Sequence, residues 1–398
     1  MKKHITYLCS IVTLLSGVCS GCGSNENAST QDSSTTPSQE STTPSHPLPE
    51  PAGQLKALGN EWVETFKVFD PNKGFESQMN RKQAIWQYVI KKADGKTATD
   101  AYRRAMKDAA ANHGKDMALG RFSLTDAQGD ELFAKCALPA GLALDGLVAL
   151  TEIRMPFEAS DATTEVFTVD FANDQLGGGY KRDACFVQEE IMFVECPHLP
   201  VLYFHESKGH LRAQDLQLGS RATILITSVP RYGTVKKNLY GQGALETKTQ
   251  PADVFEQKPS TTPTKHNILA LAARKLTGGP RSYTPQDFKD LFVPAYVGFR
   301  AAKKNAQGKK VKIETGNWGA GVFNHNVCPS ALAQLVAAAL AGVEQLAAYT
   351  YDAAGQQGWQ AAKQLLQATC AALRKANQPL TPKNIFAHVQ KEKNLQCK

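Results

Sequence analysis

The sequence lacks any long apolar run beyond its first twenty residues. A transmembrane helix needs about 20 consecutive apolar residues, so no membrane-spanning domain is expected. The chain also lacks blocks of one charge, because its 45 Lys and Arg and its 37 Asp and Glu are scattered along it. Scattered charge with a net value of +8 is typical of a solvated surface, and we expect no sequence-specific nucleic-acid partner.

Apolar residues are almost absent from residues 23–53, a stretch rich in Ser, Thr, Pro and Gln. Such a segment cannot bury enough surface to fold, so it is predicted to be a disordered linker. Before it, Lys2 and Lys3 precede an apolar stretch from Ile5 to Leu15, and small residues stand directly before Cys22. This order is typical of an export signal, predicted over residues 1–22.

Cys22 follows Ser20 and Gly21 in the manner of a bacterial lipoprotein signal, although Cys19 replaces the usual leucine. We therefore predict lipidation at Cys22, with ordinary signal-peptide cleavage nearby as the alternative. The predicted location is that of an exported, membrane-anchored lipoprotein in the periplasm or at the cell surface, with secretion as the alternative. The membrane would be a partner only through this lipid anchor.

Six of the nine cysteines lie outside the signal region, in a setting that permits disulfides. They are Cys136, Cys185, Cys196, Cys328, Cys370 and Cys397. Six cysteines allow about fifteen full pairings, and partial or no pairing is also open because a core of this size does not depend on disulfides. No metal site is expected, since the spacing of Cys185, Cys196, His198, His205 and His210 matches no standard zinc template.

Residues 54–150 show the periodicity of helices. Apolar residues share one face of a segment from Lys82 to Ala93, and they do so again from Tyr102 to Ala109, before a stop at His113-Gly114. No constellation of reactive side chains stands out here. We therefore predict a helical accessory region or cap.

After Thr151 the pattern changes to short β-rich runs that alternate with helical segments. The predicted strands are Glu165 to Phe171, Ala222 to Val229, Ile268 to Ala272 and Leu346 to Tyr351. Thr284-Pro285 and Thr381-Pro382 resemble helix N-termini, and Ser330 to Leu346 is predicted to be an alanine-rich helix. This alternation predicts a three-layer α/β domain over residues 151–398, with a ligand crevice beyond the carboxyl ends of its strands.

Two short motifs in this domain carry chemistry. Gly177-Gly178-Gly179 exposes backbone N–H groups that no Cβ shields, so a polyanion can approach closely. Gln188-Glu189-Glu190 follows, and its paired carboxylates suit general acid and base work or contacts to ribose hydroxyls. A substrate that carries both pyrophosphates and glycosidic bonds needs both motifs.

The motifs occur with neighbours that make a more specific set. These are Val169-Asp170-Phe171-Ala172-Asn173, Leu176 to Gly179, Val187 to Ile191, Ala295 to Phe299 and Thr315 to Phe323. Together they resemble the signature of the poly(ADP-ribose) glycohydrolases, over about residues 155–355. This resemblance implies a macrodomain with an α/β/α core and a mixed sheet.

The resemblance implies hydrolysis of the ribose–ribose O-glycosidic bonds of poly(ADP-ribose), with Glu190 as general acid and base. Glu189 would hold ribose hydroxyls, and Asp170 would order the catalytic loop. It also implies that the partners are poly(ADP-ribose) and ADP-ribosylated proteins, that the protein is a monomer, and that no cofactor takes part. A macrodomain that only binds ADP-ribose is the alternative, although such a protein has no need of the paired glutamates.

The binding residues are likewise carried over from the family pattern. They are Glu158, Asn173, Gly177, Gly178, Gly179, Gln188, Tyr240, Asn317, Trp318, Gly319, Ala320, Gly321, Val322, Phe323 and Tyr351. The two glycine-containing loops would cradle the diphosphate through backbone N–H groups. Tyr240, or alternatively Tyr232, would stack on one face of adenine and Tyr351 on the other, with Glu158 accepting from the adenine amino group.

The remaining members have simpler expected roles, and some positions depart from the pattern. Asn173 and Gln188 would bind ribose or orient the loop, and Phe323 would pack on the distal ribose or lie in the core. Asn324-His325-Asn326 stands where relatives commonly show Gly-Gly-Asp, and Ala270 to Ala272 lacks an acidic residue often found there. These departures put the loop geometry in doubt.

Overall fold

A mixed β-sheet of eight strands runs through the described part of the chain. The computed structural model describes residues 65–67, 105, 114–139, 141, 146–151, 157–178, 180, 186–202, 213–241, 251–276 and 283–391. The strands in chain order are β1 (Thr65–Lys67), β2 (Ala118–Ser123), β3 (Val148–Thr151), β4 (Thr164–Ala172), β5 (Ala222–Arg231), β6 (Thr264–Ala272), β7 (Lys310–Gly316) and β8 (Gln345–Tyr349).

The order of the strands across the sheet is β1-β2-β5-β6-β4-β7-β8-β3. The last five in this order are mutually parallel, whereas β1, β2 and β5 join by antiparallel pairing. The carboxyl ends of β6, β4, β7 and β8 therefore meet at one edge of the sheet, which is where an α/β fold binds its ligand.

Seven α-helices cover the sheet within the described residues. They are α1 (Asp126–Lys135), α2 (Gln188–Glu195), α3 (Pro251–Val254), α4 (Pro285–Asn305), α5 (Val327–Ala341), α6 (Ala353–Lys375) and α7 (Pro382–Lys391). Short 3₁₀ turns span Gly114–Asp116, Ala213–Asp215 and Lys237–Leu239. Helix α4 begins as predicted, because Thr284 and Asp287 form a capping box around Pro285 at the first helical position.

The two faces of the sheet build separate hydrophobic clusters. Phe167 and Val169 of β4 belong to the larger cluster, which includes residues of α4, α5 and α6. Ala172 of β4 belongs to the second cluster, together with Ile191 of α2. Because successive residues of a strand point to opposite faces, Asp170 lies on the α2 face of the sheet.

The predicted strands are confirmed with small shifts of their ends. The alanine-rich helix, predicted from Ser330 to Leu346, was too long: it runs from Val327 to Ala341 and stops at Gly342, whose φ of 74° is left-handed. A glycine in this conformation ends a helix without steric cost. Leu346 belongs instead to the following strand, which ends at Tyr349.

The purely helical interpretation of residues 54–150 is wrong for the part that the structure describes. Strands β1, β2 and most of β3 fall in this range. Among its described residues, α1 is the one α-helix that the structure describes from end to end. Strand β2 shows no clean alternation of buried and exposed residues, and its pairing with β5 makes it a strand. The segments 82–93 and 102–109 lie outside the described residues, apart from Ala105.

Cysteine pairing is partial. Cys328 is disulfide-bonded, whereas Cys136, Cys196 and Cys370 are buried free thiols. The disulfide partner of Cys328 is therefore not among the described cysteines. None of the described helices combines the length and the apolar character needed to cross a membrane.

Candidate active site

The cleft opens where β4 and β7 separate. Their pairing ends at Thr168 and Glu314, but β4 continues to Ala172. Beyond this point the amide of Gln188 takes up the free edge of β4, because its Oε1 accepts from Phe171 N and its Nε2 donates to Val169 O, both at 2.8 Å. Gln188 thus ties α2 to the sheet, which is the orienting role of the two that we predicted for it.

Helix α2 brings Glu189 and Glu190 to this edge. It begins at Gln188 because Val187 is extended and its N–H donates to Oε2 of Glu190 at 3.2 Å. Both glutamates are almost fully buried, at 4% and 3% exposure. Burial of two adjacent carboxylates is costly unless protons or donors offset the charge.

Asp170 faces these glutamates from β4. It is fully buried, and neither of its carboxylate oxygens has a hydrogen-bond partner among the residues that the structure describes. Burial, reinforced by the charge of Glu190, raises the pKa of Asp170 well above its ordinary value. Its predicted role, to order the loop after Gly178, involves residues 179 and 181–185, which lie outside the described set.

Glu189 is held by the first glycine loop. The N–H of Gly177 donates to its Oε1 at 2.5 Å. Burial first, and then the charges of Asp170 and Glu190, raise the pKa of Glu189 well above normal, while the backbone N–H groups of Gly177 and Gly178 act in the opposite direction. Three such carboxylates do not all ionise near neutral pH, so the cluster retains at least one proton.

The described N–H groups of the first glycine loop therefore form hydrogen bonds within the protein itself. Gly177 adopts a left-handed φ of 71°, and a Cβ added to Gly178 would lie 2.6 Å from Cβ of Asn173. Of the three amides that we predicted to bind a diphosphate, those of Gly177 and Gly178 are directed at Glu189 instead, and Gly179 lies outside the described residues. Asn173 is exposed, and its Oδ1 accepts from the N–H of Asp174 at 2.8 Å.

The second glycine loop follows β7 and is anchored by its first two side chains. Asn317 Nδ2 donates to Thr350 O at 2.8 Å, and its Oδ1 is buried without a partner in the described structure. The indole of Trp318 is buried, and its Nε1 donates to Leu271 O at 3.0 Å. Trp318 thus fixes the loop, and its polar atom is not available to a ligand.

The backbone of the second loop is open. Gly319 and Gly321 have left-handed φ values of 75° and 88°. Within the described ranges, the N–H groups of Gly319, Val322 and Phe323 make no hydrogen bond, whereas that of Ala320 donates to Asn317 O and Gly321 follows a β-bridge that pairs Ala320 with His325. Successive free N–H groups in such a turn form a concave site for an anion.

The departure at Asn324-His325-Asn326 is compensated by hydrogen bonds to the segment that follows β6. His325 Nε2 lies 2.6 Å from Arg274 O, and because a carbonyl only accepts, this nitrogen carries the proton. His325 Nδ1 lies 3.1 Å from the hydroxyl of Tyr283, which also accepts from Asn326 N. Burial lowers the pKa of His325, which favours this neutral form.

Two cavities, of about 280 and 160 Å³, adjoin at this edge and share several lining residues. Together they fall in the range of roughly 300–1,000 Å³ typical of small-molecule sites. The predicted residues that line them are Gln188, Glu189, Tyr240, Asn317, Trp318, Gly319, Ala320, Gly321, Val322, Phe323 and Tyr351. Asp170 and Glu190 are buried next to Glu189 and line neither cavity.

Tyr240 and Tyr351 stand at the mouth of the larger cavity, as predicted for an aromatic sandwich. They are 38% and 65% exposed, and their ring centroids lie 5.2 Å apart at an angle of 34°. A base between two rings needs a separation of about 7 Å, because each face requires roughly 3.5 Å. The rings must therefore part before a base can enter. The alternative, Tyr232, is buried and stacks on His198.

The predicted adenine contact, Glu158, does not line either cavity. Its Oε2 forms an ion pair with Lys312 at 2.6 Å, while the adjacent Phe157 lines the larger cavity. Sequence reasoning missed Phe157, Tyr349 and the buried Glu314 behind them. Glu314 is buried together with its neighbours Ile313 and Thr315 at the end of the strand Lys310–Gly316.

The residues of the rejected zinc site are only partly described. Cys196 is a buried free thiol whose pKa is raised by burial, and His198 stacks on Tyr232. Cys185, His205 and His210 lie outside the described residues. In the described part of the chain, no group of three or more His, Cys, Asp or Glu side chains is arranged to hold a metal ion.

The fold and the site define a three-layer α/β protein with a cleft at the carboxyl edge of a mixed sheet, flanked by buried carboxylates and an open amide loop. The family model described as "Poly (ADP-ribose) glycohydrolase (PARG), Macro domain fold" matches residues 149–357. This match covers just over half of the chain, and the chain therefore belongs to that family.

Individual relatives are distant. Poly(ADP-ribose) glycohydrolase 2 of Caenorhabditis elegans is 26% identical over 196 residues, which are 46% of this chain and 36% of the relative. The chain thus matches little more than a third of that protein's length. Among solved structures, the poly(ADP-ribose) glycohydrolase of Thermomonospora curvata bound to the inhibitor ADP-HPD shows 14% identity and a TM-score of 0.42, over 70% of this chain and 98% of that one. The Deinococcus radiodurans enzyme in complex with ADP-ribose shows 16% identity and a TM-score of 0.35, over 65% and 97%.

Proposed function

We propose that this protein is a poly(ADP-ribose) glycohydrolase that cleaves the ribose–ribose O-glycosidic bonds of poly(ADP-ribose) and releases ADP-ribose. One observation carries the proposal. Three buried carboxylates, Asp170, Glu189 and Glu190, lie beside a cleft whose other wall is a loop of open backbone amides. A binding protein needs the amides, but it gains nothing from a costly cluster of buried acids.

The carboxylates supply what glycoside hydrolysis requires. The leaving 2′-oxygen must receive a proton, and a water molecule must then lose one. We assign both steps to Glu190, by the family pattern. Burial and mutual repulsion within the cluster favour retention of a proton near neutral pH, which a general acid needs.

Glu189 has the complementary task. It is the carboxylate that lines the cavity, and the amides of Gly177 and Gly178 hold it in place. A fixed carboxylate at the cleft surface suits contacts to ribose hydroxyls, since each hydroxyl can donate to it. Glu189 therefore orients the sugar while the adjacent Glu190 handles the proton.

The rest of the cleft suits the other parts of ADP-ribose. The open amides of Gly319, Val322 and Phe323 would bind the diphosphate. The larger cavity would take adenine, with Phe157 inside and the Tyr240–Tyr351 pair at its mouth. Opening of that pair would admit the base, and restacking on it would retain the ligand.

The test is release of free ADP-ribose from poly(ADP-ribose) by the purified chain. We expect wild type to release it, and Glu190→Gln to lose at least about 100-fold in kcat while still binding ADP-ribose. Glu131→Gln is the matched control, because Lys135 is the one residue in the described part of the chain to which this partly exposed glutamate of α1 bonds. If wild type binds ADP-ribose but releases none, the protein is a binding module instead.

The location outside the cytoplasm is a separate proposal. The predicted signal and Cys22 lie outside the described residues. Mass spectrometry of the mature N-terminus tests it, since a diacylglyceryl mass on Cys22 supports the lipoprotein and an unmodified new terminus supports secretion.

A further inference from the structure

Glu314 is a buried carboxylate in the middle of a parallel strand, a position that packing alone would give to an apolar residue. It has no exposed surface. Leaving a charge there is costly unless donors surround it. Its surroundings meet this need, because the Oγ1 of Thr168 on the neighbouring strand β4 donates to it at 2.8 Å.

The other donors to Glu314 come from the end of the larger cavity. The backbone N–H of Glu158 lies 3.2 and 3.3 Å from its two oxygens. The hydroxyl of Tyr349 lies 3.4 Å from its Oε1. Both Tyr349 and Phe157, the residue before Glu158, line the cavity that we assign to the base.

Phe157 has a backbone conformation that needs such support. Its φ of 54° is left-handed, which is rare for a bulky aromatic residue. Strain of this kind persists only where the surroundings hold the backbone. Glu314 holds the N–H that follows Phe157, and no other acceptor for it is found in the described part of the chain.

A second set of contacts holds the other side of the same turn. His266 Nδ1 lies 3.2 Å from the carbonyl oxygen of Glu158, so this nitrogen is the donor, and its Nε2 faces the Thr264 hydroxyl at 2.6 Å. Burial and the nearby Arg231 lower the pKa of His266 to about 4, so the ring is neutral. Arg231, paired with Glu195 of α2, lies 4.8 Å from the Phe157 ring centroid.

We propose that Glu314 is a positioning residue that fixes Phe157, Glu158 and Tyr349 as the nucleobase end of the cleft, and so sets affinity for the adenine of ADP-ribose. The inference rests on the proposed function. It goes beyond it in naming a residue that touches no substrate, and in assigning base selectivity to that end. Glu314 accepts from the backbone N–H of Glu158 and from the hydroxyl of Tyr349, so it fixes the wall that meets the base. Adenine and hypoxanthine differ at position 6 of the ring, so the ratio of their affinities reports whether that wall keeps its shape.

The experiment compares Glu314→Ala and Glu314→Gln with wild type in binding of ADP-ribose and of its hypoxanthine analogue, measured by calorimetry. We expect Glu314→Ala to weaken ADP-ribose at least tenfold and to lose most of the preference for adenine over hypoxanthine. The affinity and the adenine preference of Glu314→Gln should lie between those of wild type and Glu314→Ala. Glutamine keeps the shape of the side chain but turns one acceptor into a donor. In polymer cleavage, KM should rise while kcat stays within about twofold.

Glu344→Ala is the matched control. Glu344 also accepts a backbone N–H of β7, that of Val311 at 2.8 Å, but at the opposite end of the strand. We expect Glu344→Ala to change thermal stability without changing the affinity for ADP-ribose or for its hypoxanthine analogue. Unchanged ADP-ribose affinity in folded Glu314→Ala, or a fall in kcat at constant KM, would overturn the proposal.

The two proposals fail in different ways. If wild type cleaves no polymer, the proposed enzyme is lost, yet the binding comparison between adenine and hypoxanthine still decides the role of Glu314. If Glu314→Ala and Glu314→Gln both fail to fold, Thr168→Val removes one donor to the same carboxylate, and its adenine preference decides the question. Loss of preference supports the positioning role, and full retention refutes it.

Discussion

The two glycine-containing loops of the cleft look alike in sequence but differ in what their amides do. In the first loop, the N–H groups of Gly177 and Gly178 are directed at the carboxylate of Glu189. In the second, those of Gly319, Val322 and Phe323 have no partner among the described residues. The first loop thus organises the acids, and the second remains available to a diphosphate.

The difference follows from what lies beneath each loop. The first loop faces three buried carboxylates, whose charge attracts any nearby donor. The second is anchored from below by Asn317 and Trp318. Their side chains donate hydrogen bonds to the backbone carbonyl oxygens of Thr350 and Leu271. Side chains hold the second loop, so its backbone is left free.

The largest expected effect comes from removing the charge of Asp170, the one buried acid beside the first loop whose oxygens accept from no described residue. Asp170→Asn should lower kcat by at least about 100-fold. Its stability should change in a pH-dependent way. The raised folded-state pKa of Asp170 means that its stabilising contribution is full below the ordinary aspartate pKa and is lost as pH rises towards the raised value.

The measurement is thermal melting of Asp170→Asn and of wild type at about pH 5, 7 and 9. These values are evenly spaced and all lie above the ordinary aspartate pKa. The melting temperature of the variant, relative to wild type, should increase with pH, by about 2–4 °C for each kcal/mol relieved. Gly321→Ala, in the loop that faces no acid, should show a difference that does not depend on pH. A pH-independent difference for Asp170→Asn would contradict the raised pKa.

The next effect tests the packing of the first loop. In Gly178→Ala the new Cβ would lie 2.6 Å from Cβ and 2.7 Å from Nδ2 of Asn173, so one of them must move. Displacing the loop from Glu189 should reduce kcat by up to roughly 100-fold, as small misplacements in active sites do.

Asn173→Gly removes the atoms that the new Cβ meets. The double variant should therefore be more active than Gly178→Ala, and a double-mutant cycle of kcat values measures the coupling. If the double variant is no better, a steric conflict with Asn173 is not the cause.

The smallest effect is expected at the open tip of the second loop. A Cβ on Gly321 meets nothing within 4 Å, but its φ is 88°. Gly321→Ala should thus cost only the left-handed backbone, about 1–2 kcal/mol, seen as a several-fold rise in KM with kcat unchanged. Gly321→Asn is the control, because asparagine tolerates this conformation and should raise KM less. A fall in kcat would mean that the second loop also shapes the acids.

Much of the site could be predicted because its parts are local in sequence. Gln188, Glu189 and Glu190 open a helix together, and Asn317 to Phe323 form one turn after a strand. Local spacing therefore showed that the members of each set lie together. The direction of the Gly177 amide could not be predicted, because it depends on a carboxylate twelve residues away in the chain.

The contributions from distant segments were missed for the same reason. Glu314 meets Glu158 across 156 residues, and β2 becomes a strand only through its pairing with β5. The periodicity of neither segment predicts such partners. The confirmed strand β6, by contrast, contains a continuous apolar run, Ile268 to Ala272, that is buried on both faces.

The sequence by itself determined the family, the α/β class, the helix starts at Thr284-Pro285 and Thr381-Pro382, and the two loops and paired glutamates that belong together. These depend on composition, local backbone preference and short motifs. Only the tertiary structure decided which loop keeps its amides free, that no described residue donates to the buried Asp170, and that Glu314 accepts from the backbone of Glu158. Each of these depends on burial and on donors brought from other strands, because the cost of a buried charge is set by its neighbours in space.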